Sequence, residues 1–185
     1  MRESIETNRL VLRLLDDSYA LAVARFLSYN KDYFAPYETT KVPIYYTEIY
    51  QRNILDKEYK ASLNKQYLRY YVFEKDRPDK VIGTVSFGSL TPYPYSSCII
   101  GYRFHKNYTC RGYAKEALTA AIKVAFDELP IHRINAYIME NNIPSIKVIE
   151  ALGFHYEGTC TDIIKIQDKW ESHRLYALIN PNKEK

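Results

Sequence analysis

Nowhere in its 185 residues does this sequence hold a run of about 18 apolar residues, which excludes a helix able to span a bilayer. The opening MRESIETNRL contains acids and no apolar stretch, so a secretory signal is not expected and a cytoplasmic location is. Cysteine is scarce: Cys98, Cys110 and Cys160 are widely spaced, odd in number, and lack a CxxC pair or a histidine pattern. Neither a disulfide framework nor a zinc site is indicated, no metal is expected, and the three read as small buried apolar residues. A dense charge of one sign is also missing. The formal net charge is +4 and the basic residues are dispersed, so direct nucleic-acid binding is not expected. Two phosphate-binding signatures are absent as well, because neither GxxxxGKS/T nor a GxGxxG after a strand occurs.

What is present suits one soluble domain over residues 1–185, with 46% hydrophobic and 26% charged residues. Tyrosine is abundant, at nineteen against a single tryptophan, Trp170. Tyr33, Tyr37, Tyr45, Tyr46, Tyr50, Tyr93 and Tyr95 fall in turn-rich segments, which fits either a pocket rim or half-buried positions where phenylalanine would serve. Trp170 fits a groove wall or a core position. His105, His132, His155 and His173 lack a partner pattern and read as surface or capping residues.

NRLVLRLL alternates apolar and polar positions as a strand does, and Asp17 or Ser18 then caps a helix reaching Leu27. After the loop YNKDYFAPYETTKVP comes a polar helical stretch over residues 46–60. YLRYYVFEK and KVIGTVSFGSL read as strands joined by DRPD, and CIIGYRFH as another. A helix to about Leu129, a strand at RINAYIM, a short helix ending at Gly153, a strand at FHYEG and a last strand at HRLYALI complete the chain. Early strand-to-strand pairing followed by alternating strand and helix predicts a mixed α/β fold: a twisted mixed sheet of six to seven strands with helices on both faces.

The long helix carries Ala114, Ala117, Leu118, Ala121 and Ile122 at helical spacing, yet it begins on Gly112. A helix start presents unpaired N–H groups and the positive end of the macrodipole, and a missing Cβ admits a bulky phosphate to those amides. Cys110, Arg111, Gly112, Tyr113 and Ala114 would line such a turn; a tight turn that simply needs glycine explains the residue equally well.

Thr109 to Ala114 resembles the Q/R-x-x-G-x-G/A loop of the GNAT superfamily of acetyl-CoA-dependent N-acetyltransferases, and ENNIPSIKVIEALGF resembles its second motif. EALTAAI, IHRINAYIMENN, ALGFHYEGTCTD and DKWESHRLYALINP, with TNRLVLR and FAPYE before them, look like the ribosomal-protein alanine N-acetyltransferase branch. The resemblance implies that loop amides bind the pyrophosphate of acetyl-CoA and that the pantetheine arm pairs with a splayed strand at Tyr102 to Phe104. Cofactor contacts are thus expected at Phe104, Cys110, Arg111, Gly112, Tyr113, Ala114, Asn142 and Ser145. Thr109 and Cys110 depart from the family pattern, and Ile149 stands where related branches carry a tyrosine acid.

Acetyl transfer from a thioester needs a neutral amine, oxyanion stabilisation and a proton for the thiolate. About a fifth of α-amines are neutral near pH 7.4, against well under a hundredth of lysines, so an N-terminal acceptor asks little of a base. Ser145 is the expected proton donor or sulfur partner; Asn142 with Ser145 three residues on is also an ordinary helix cap. Glu38 and Asp162 are candidate bases, or simply solvated carboxylates. The expected partner is a protein N-terminus, such as that of a ribosomal protein, or a small amine; no membrane partner is expected, and the protein is read as a monomer or homodimer. A CoA-binding module without efficient chemistry is the alternative.

Overall fold

The computed structural model describes residues 1–181; the last four residues of the expected domain lie outside the described residues. Eight strands form a single sheet: β1 (Ser4–Glu6), β2 (Leu10–Arg13), β3 (Leu68–Glu74), β4 (Gly83–Thr91), β5 (Ser97–Phe104), β6 (Arg133–Met139), β7 (His155–Ile166) and β8 (Lys169–Ile179). Their order is β1-β2-β3-β4-β5-β6-β8-β7, antiparallel at every pairing except the parallel pair β5 and β6. Seven strands overlap the segments expected as strands, although β7 is largely exposed and runs past FHYEG to Ile166. The eighth is β1, whose three residues are too few to display an alternation, so the expected six to seven become eight.

The helices are α1 (Ala20–Tyr29), the four-residue α2 (Lys31–Phe34), α3 (Glu48–Leu63), α4 (Tyr113–Glu128) and α5 (Ile143–Glu150). The chain enters α1 through a 3-10 turn capped by Asp16, whose Oδ1 accepts from the Ser18 amide at 3.0 Å, rather than by Asp17 or Ser18. The segment read as a plain loop contains α2, because Phe34 turns into the core beside Phe26.

Helices cover both faces because the central strands are apolar on both. In β3, Leu68, Tyr70 and Val72 join one core with Leu118, Ala121 and Ile122 of α4 and Ile146 and Ile149 of α5. Tyr71 and Phe73 point to the other face and join Val23, Phe26 and Leu27 of α1 and Leu55 of α3. Period-two alternation therefore feeds two cores from one strand. Arg69 carries an ion pair to Glu58 of α3 at 2.6 Å, and Tyr71 donates to the same carboxylate at 3.0 Å, which ties α3 to the sheet. Among the described residues no helix is long and apolar enough to cross a membrane.

Candidate active site

The parallel pair opens the sheet. β5 and β6 are in register only from Ser97, Cys98 and Ile99 to Arg133, Ile134 and Asn135. Beyond that point β5 stays with β4 as far as Phe104 opposite Gly83, while β6 stays with β8 as far as Met139 opposite His173. The carboxyl ends of two parallel strands thus separate, and a crevice at that end is where open α/β sheets take ligands. A cleft of about 210 Å³ lies there, walled by Tyr102 of β5, Tyr137 and Met139 of β6, Asn142 and Ser145 at the start of α5, and Tyr37 and Glu38 from the loop after α2.

One tyrosine-anchored contact and one close backbone packing hold this opening. Tyr102 donates its hydroxyl to the Ser145 carbonyl at 2.9 Å, joining β5 to α5 across the gap. Burial pushes the Tyr102 hydroxyl up to about 12, so it remains a donor throughout the physiological range. Gly83 matters on the outer side of β5: a Cβ there would stand 2.6 Å from the Phe104 ring. Phe104 is buried at 7% exposure, so its side chain is committed to the core and only its backbone is available to a ligand.

Where β5 ends, the connector leads through a turn into α4. Cys110 and Gly112 both take positive φ, 58° and 76°, and Gly112 caps α4 without any side-chain bond to the first-turn amides. Those amides face outward with the helix dipole behind them, the arrangement that binds phosphate. The turn is held from outside by Arg9, which donates to the Arg111 carbonyl at 3.0 Å and pairs with Glu116 through Nε and Nη2, each at 2.7 Å. Glu116 also accepts from the Arg9 amide at 2.8 Å and the Thr7 hydroxyl at 2.7 Å. Burial alone would raise the Glu116 carboxyl, but the Thr7 and Arg9 hydrogen bonds outweigh it and hold the group below its ordinary value. The Arg9 guanidinium further lies 4.6 Å from the Tyr113 ring centre, and the Tyr113 hydroxyl donates to Glu74 at 2.7 Å. The residues present therefore fit a pyrophosphate on the Gly112 turn and an arm along the unpaired end of β5.

The expected site residues are only partly brought together. Ser145, Asn142 and Glu38 line one cleft, and Cys110 to Ala114 form the turn at the adjoining end of β5. Asn142 caps α5 by accepting from the Ser145 amide at 3.3 Å. Glu38 is not a free carboxylate: both oxygens accept from Arg103 Nη1 at 2.9 Å. Asp162 stands apart from the cleft, in a bulge of β7 where its amide and carboxylate bond Ser172. Trp170 is exposed at 61% on the terminal hairpin, so it is not a core residue. Cys98 is buried and its thiol is pushed up to about 12 by that burial, but Cys110 is exposed and Cys160 half-buried, so the reading of all three as buried is corrected. Cys110 is exposed because the turn carries it outward ahead of α4.

Sequence reasoning missed Arg9, Glu116 and Gly83; it placed Tyr102 and Arg103 on the strand for the pantetheine arm but not the bonds of their side chains to Ser145 and Glu38, and it misread His173. His173 is no surface residue: it is 4% exposed and lines the cleft, its Nδ1 2.9 Å from the Glu171 carbonyl oxygen. His105 does cap a turn, accepting from the Asn107 amide at 3.2 Å; burial and then Lys80 and Lys106 lower its pKa. A glycine opening the apolar strand GTVSF was the one signal that could have pointed to close packing at Gly83.

Comparison with known proteins places this geometry. The acetyltransferase (GNAT) domain model matches residues 9–155. The chain is 34% identical over 157 residues to a probable N-acetyltransferase, YjcK, of Bacillus subtilis, covering 85% of this chain and 86% of that protein. It is 30% identical over 182 residues to the ribosomal protein uS5 alanine N-acetyltransferase of Escherichia coli, covering 96% of this chain and 91% of the relative. A crystal structure of the ribosomal-protein-S5-alanine acetyltransferase of Vibrio fischeri superposes with a TM-score of 0.93 at 28% identity, over 98% of this chain and 99% of the other. A family model over most of the chain and relatives at this level of identity and coverage show that this chain belongs to the GNAT acetyltransferase family.

Proposed function

We propose that the protein acetylates the α-amine at the N-terminus of another protein, with a ribosomal protein beginning in Ala or Ser as the first candidate. The observation that carries this reading is the path beyond the cleft. Glu38 lines both the cleft and a second cavity of about 210 Å³, whose wall holds Lys31, Lys41 and Arg103. A closed acidic pocket would suit a small polycation, whereas a continued, cation-lined path suits a peptide and repels a polyamine. The relative from Escherichia coli, named as a ribosomal protein uS5 alanine N-acetyltransferase, supports the same acceptor class.

Acetyl-CoA supplies an acyl group on a thioester and, on transfer, a thiolate that needs a proton. Ser145 meets that need: it lies at the first turn of α5 on the cleft wall, and its carbonyl is fixed by Tyr102, so its hydroxyl is presented from a rigid element. Glu38, oriented by Arg103, keeps further lone pairs with which to align an incoming ammonium. Little more is required of a base, since about a fifth of α-amines are already neutral near pH 7.4. The outward amides at Gly112 and Tyr113 hold the donor's phosphates in place.

The test is thiol release from acetyl-CoA with two peptides, one with a free N-terminal alanine and no lysine, the other N-blocked and carrying one lysine. Turnover of the first alone is the expected result. Turnover of the second alone would overturn the α-amine reading, and silence with both alongside intact acetyl-CoA binding would point to a small amine or a CoA-binding module.

A further inference from the structure

The second cavity lies between the segment from α1 to α3 and the tip of the β7–β8 hairpin, where Gln167 donates to the Ala35 carbonyl at 2.8 Å and closes one side. Its charges are unbalanced: Lys31, Lys41 and Arg103 face a single lining carboxylate, Glu38, which is already bound through both oxygens to Arg103. The two lysines form no ion pair with any described residue. Each instead rests near an aromatic ring, Lys31 5.4 Å from the centre of Tyr46 and Lys41 5.5 Å from that of Tyr45, and Lys41 donates to the Thr39 hydroxyl at 2.7 Å. Cation–ring contacts keep both ammonium groups at the cavity without neutralising them.

Two positioned, unneutralised ammonium groups beside an acceptor path make a receptor for a carboxylate. We propose that this cavity takes an acidic side chain of the acceptor peptide, so that the enzyme selects N-termini with Asp or Glu among the residues directly after the first. This rests on the α-amine reading above. A chain whose amine sits beside Glu38 in the cleft has its following residues in the second cavity, since Glu38 belongs to both walls.

The experiment compares kcat/KM for three lysine-free peptides that share an N-terminal alanine and carry Glu, Gln or Arg at positions two to four, in the wild type and in the double variant K31E/K41E. The wild type should prefer the acidic over the neutral peptide by roughly fivefold to tenfold, chiefly through KM, and the preference should shrink in high salt. The double variant should invert the order and favour the Arg peptide, with CoA affinity unchanged and melting temperature near that of the wild type, because the lining of this cavity includes none of residues 110–114 and neither lysine is in an ion pair with a described residue. Equal kcat/KM for the three peptides in the wild type would overturn the charge proposal and leave the α-amine reading standing. Failure to acetylate any of them would overturn the α-amine reading. Equilibrium binding of the three N-acetylated product peptides in the presence of CoA reads the cavity without turnover, and equal affinities there would also overturn the proposal. Lys31→Gln/Lys41→Gln, which loses the preference without inverting it, covers the case in which the double charge reversal does not fold.

Discussion

At Gly112 the requirement for glycine is one of backbone conformation. The residue sits at φ 76°, a conformation that costs an L-residue about 1–2 kcal/mol, whereas an added Cβ would only touch Arg9 Nη2, at 3.4 Å. Gly112→Val is expected to lower CoA affinity by at least about tenfold, since a strained turn re-aims the amides that the phosphates need; unchanged affinity by calorimetry would sink the account of the turn. Glu116 supports the same turn from below. Its folded pKa is depressed, so its stabilising contribution is present above the unfolded carboxyl value of about 4.3 and is lost as pH falls through the lower folded value. In Glu116→Gln, unfolding free energy should be reduced at neutral pH by about 1–2 kcal/mol. The difference from wild type should shrink as pH falls below about 4.3 and vanish only once pH is below the depressed folded value; a gap that does not shrink on acidification would mean the carboxylate charge is not what matters. Gly112 was legible in the sequence because glycine at a helix start is locally anomalous. The Arg9–Glu116 pair was not, because its partners are 107 positions apart and neither has a local pattern to betray it.

Among the elements, the divergence of β5 from β6 is what makes a site. A parallel pair that runs in register for three residues and then parts leaves backbone groups of Ile100 to Phe104 without a strand on that side, and the start of α5 faces the gap. The tie from Tyr102 to the Ser145 carbonyl sets how far α5 stands from β5. Ser145→Ala is expected to lower kcat by roughly tenfold to a hundredfold while leaving CoA affinity near that of the wild type. Tyr102→Phe should cost about 1 kcal/mol of stability and reduce kcat severalfold by loosening the same turn, with the Ser145 hydroxyl intact. Should Tyr102→Phe lose stability but keep its full kcat, the tie would be structural only. Most of the strands and helices were visible in the sequence, including the long α4 and the short α5, while β1 and α2 were not. The separation of two of those strands leaves no trace in periodicity, since β5 and β6 read as ordinary buried strands along their whole length.

For the whole molecule, the pH dependence of turnover reports the acceptor. With a peptide bearing a free N-terminal alanine, kcat/KM should rise about tenfold per pH unit at low pH and level off near the α-amine pKa of about 8. A rise continuing toward about 10.4 would identify a lysine acceptor instead. Arg103 stays charged across this range: burial works to discharge its guanidinium, but the Glu38 carboxylate 2.9 Å away keeps it protonated.

The sequence by itself determined the class of fold, the order of its main strands and helices, and a glycine turn at the start of α4, because each of these rests on interactions within a few residues: alternation, helical spacing, caps and a glycine at a helix start. It also carried the ordered motifs that resemble the GNAT family. Tertiary structure alone decided which carboxylate stands near the cleft, bringing Glu38 there and setting Asp162 in a bulge of β7. It likewise buried His173 in the cleft wall, turned Cys110 outward, and assembled Lys31, Lys41 and Arg103 around one cavity. Those outcomes depend on where the sheet splits and on how a hairpin near the end of the chain meets a loop near its start, and contacts of that range have no local signature.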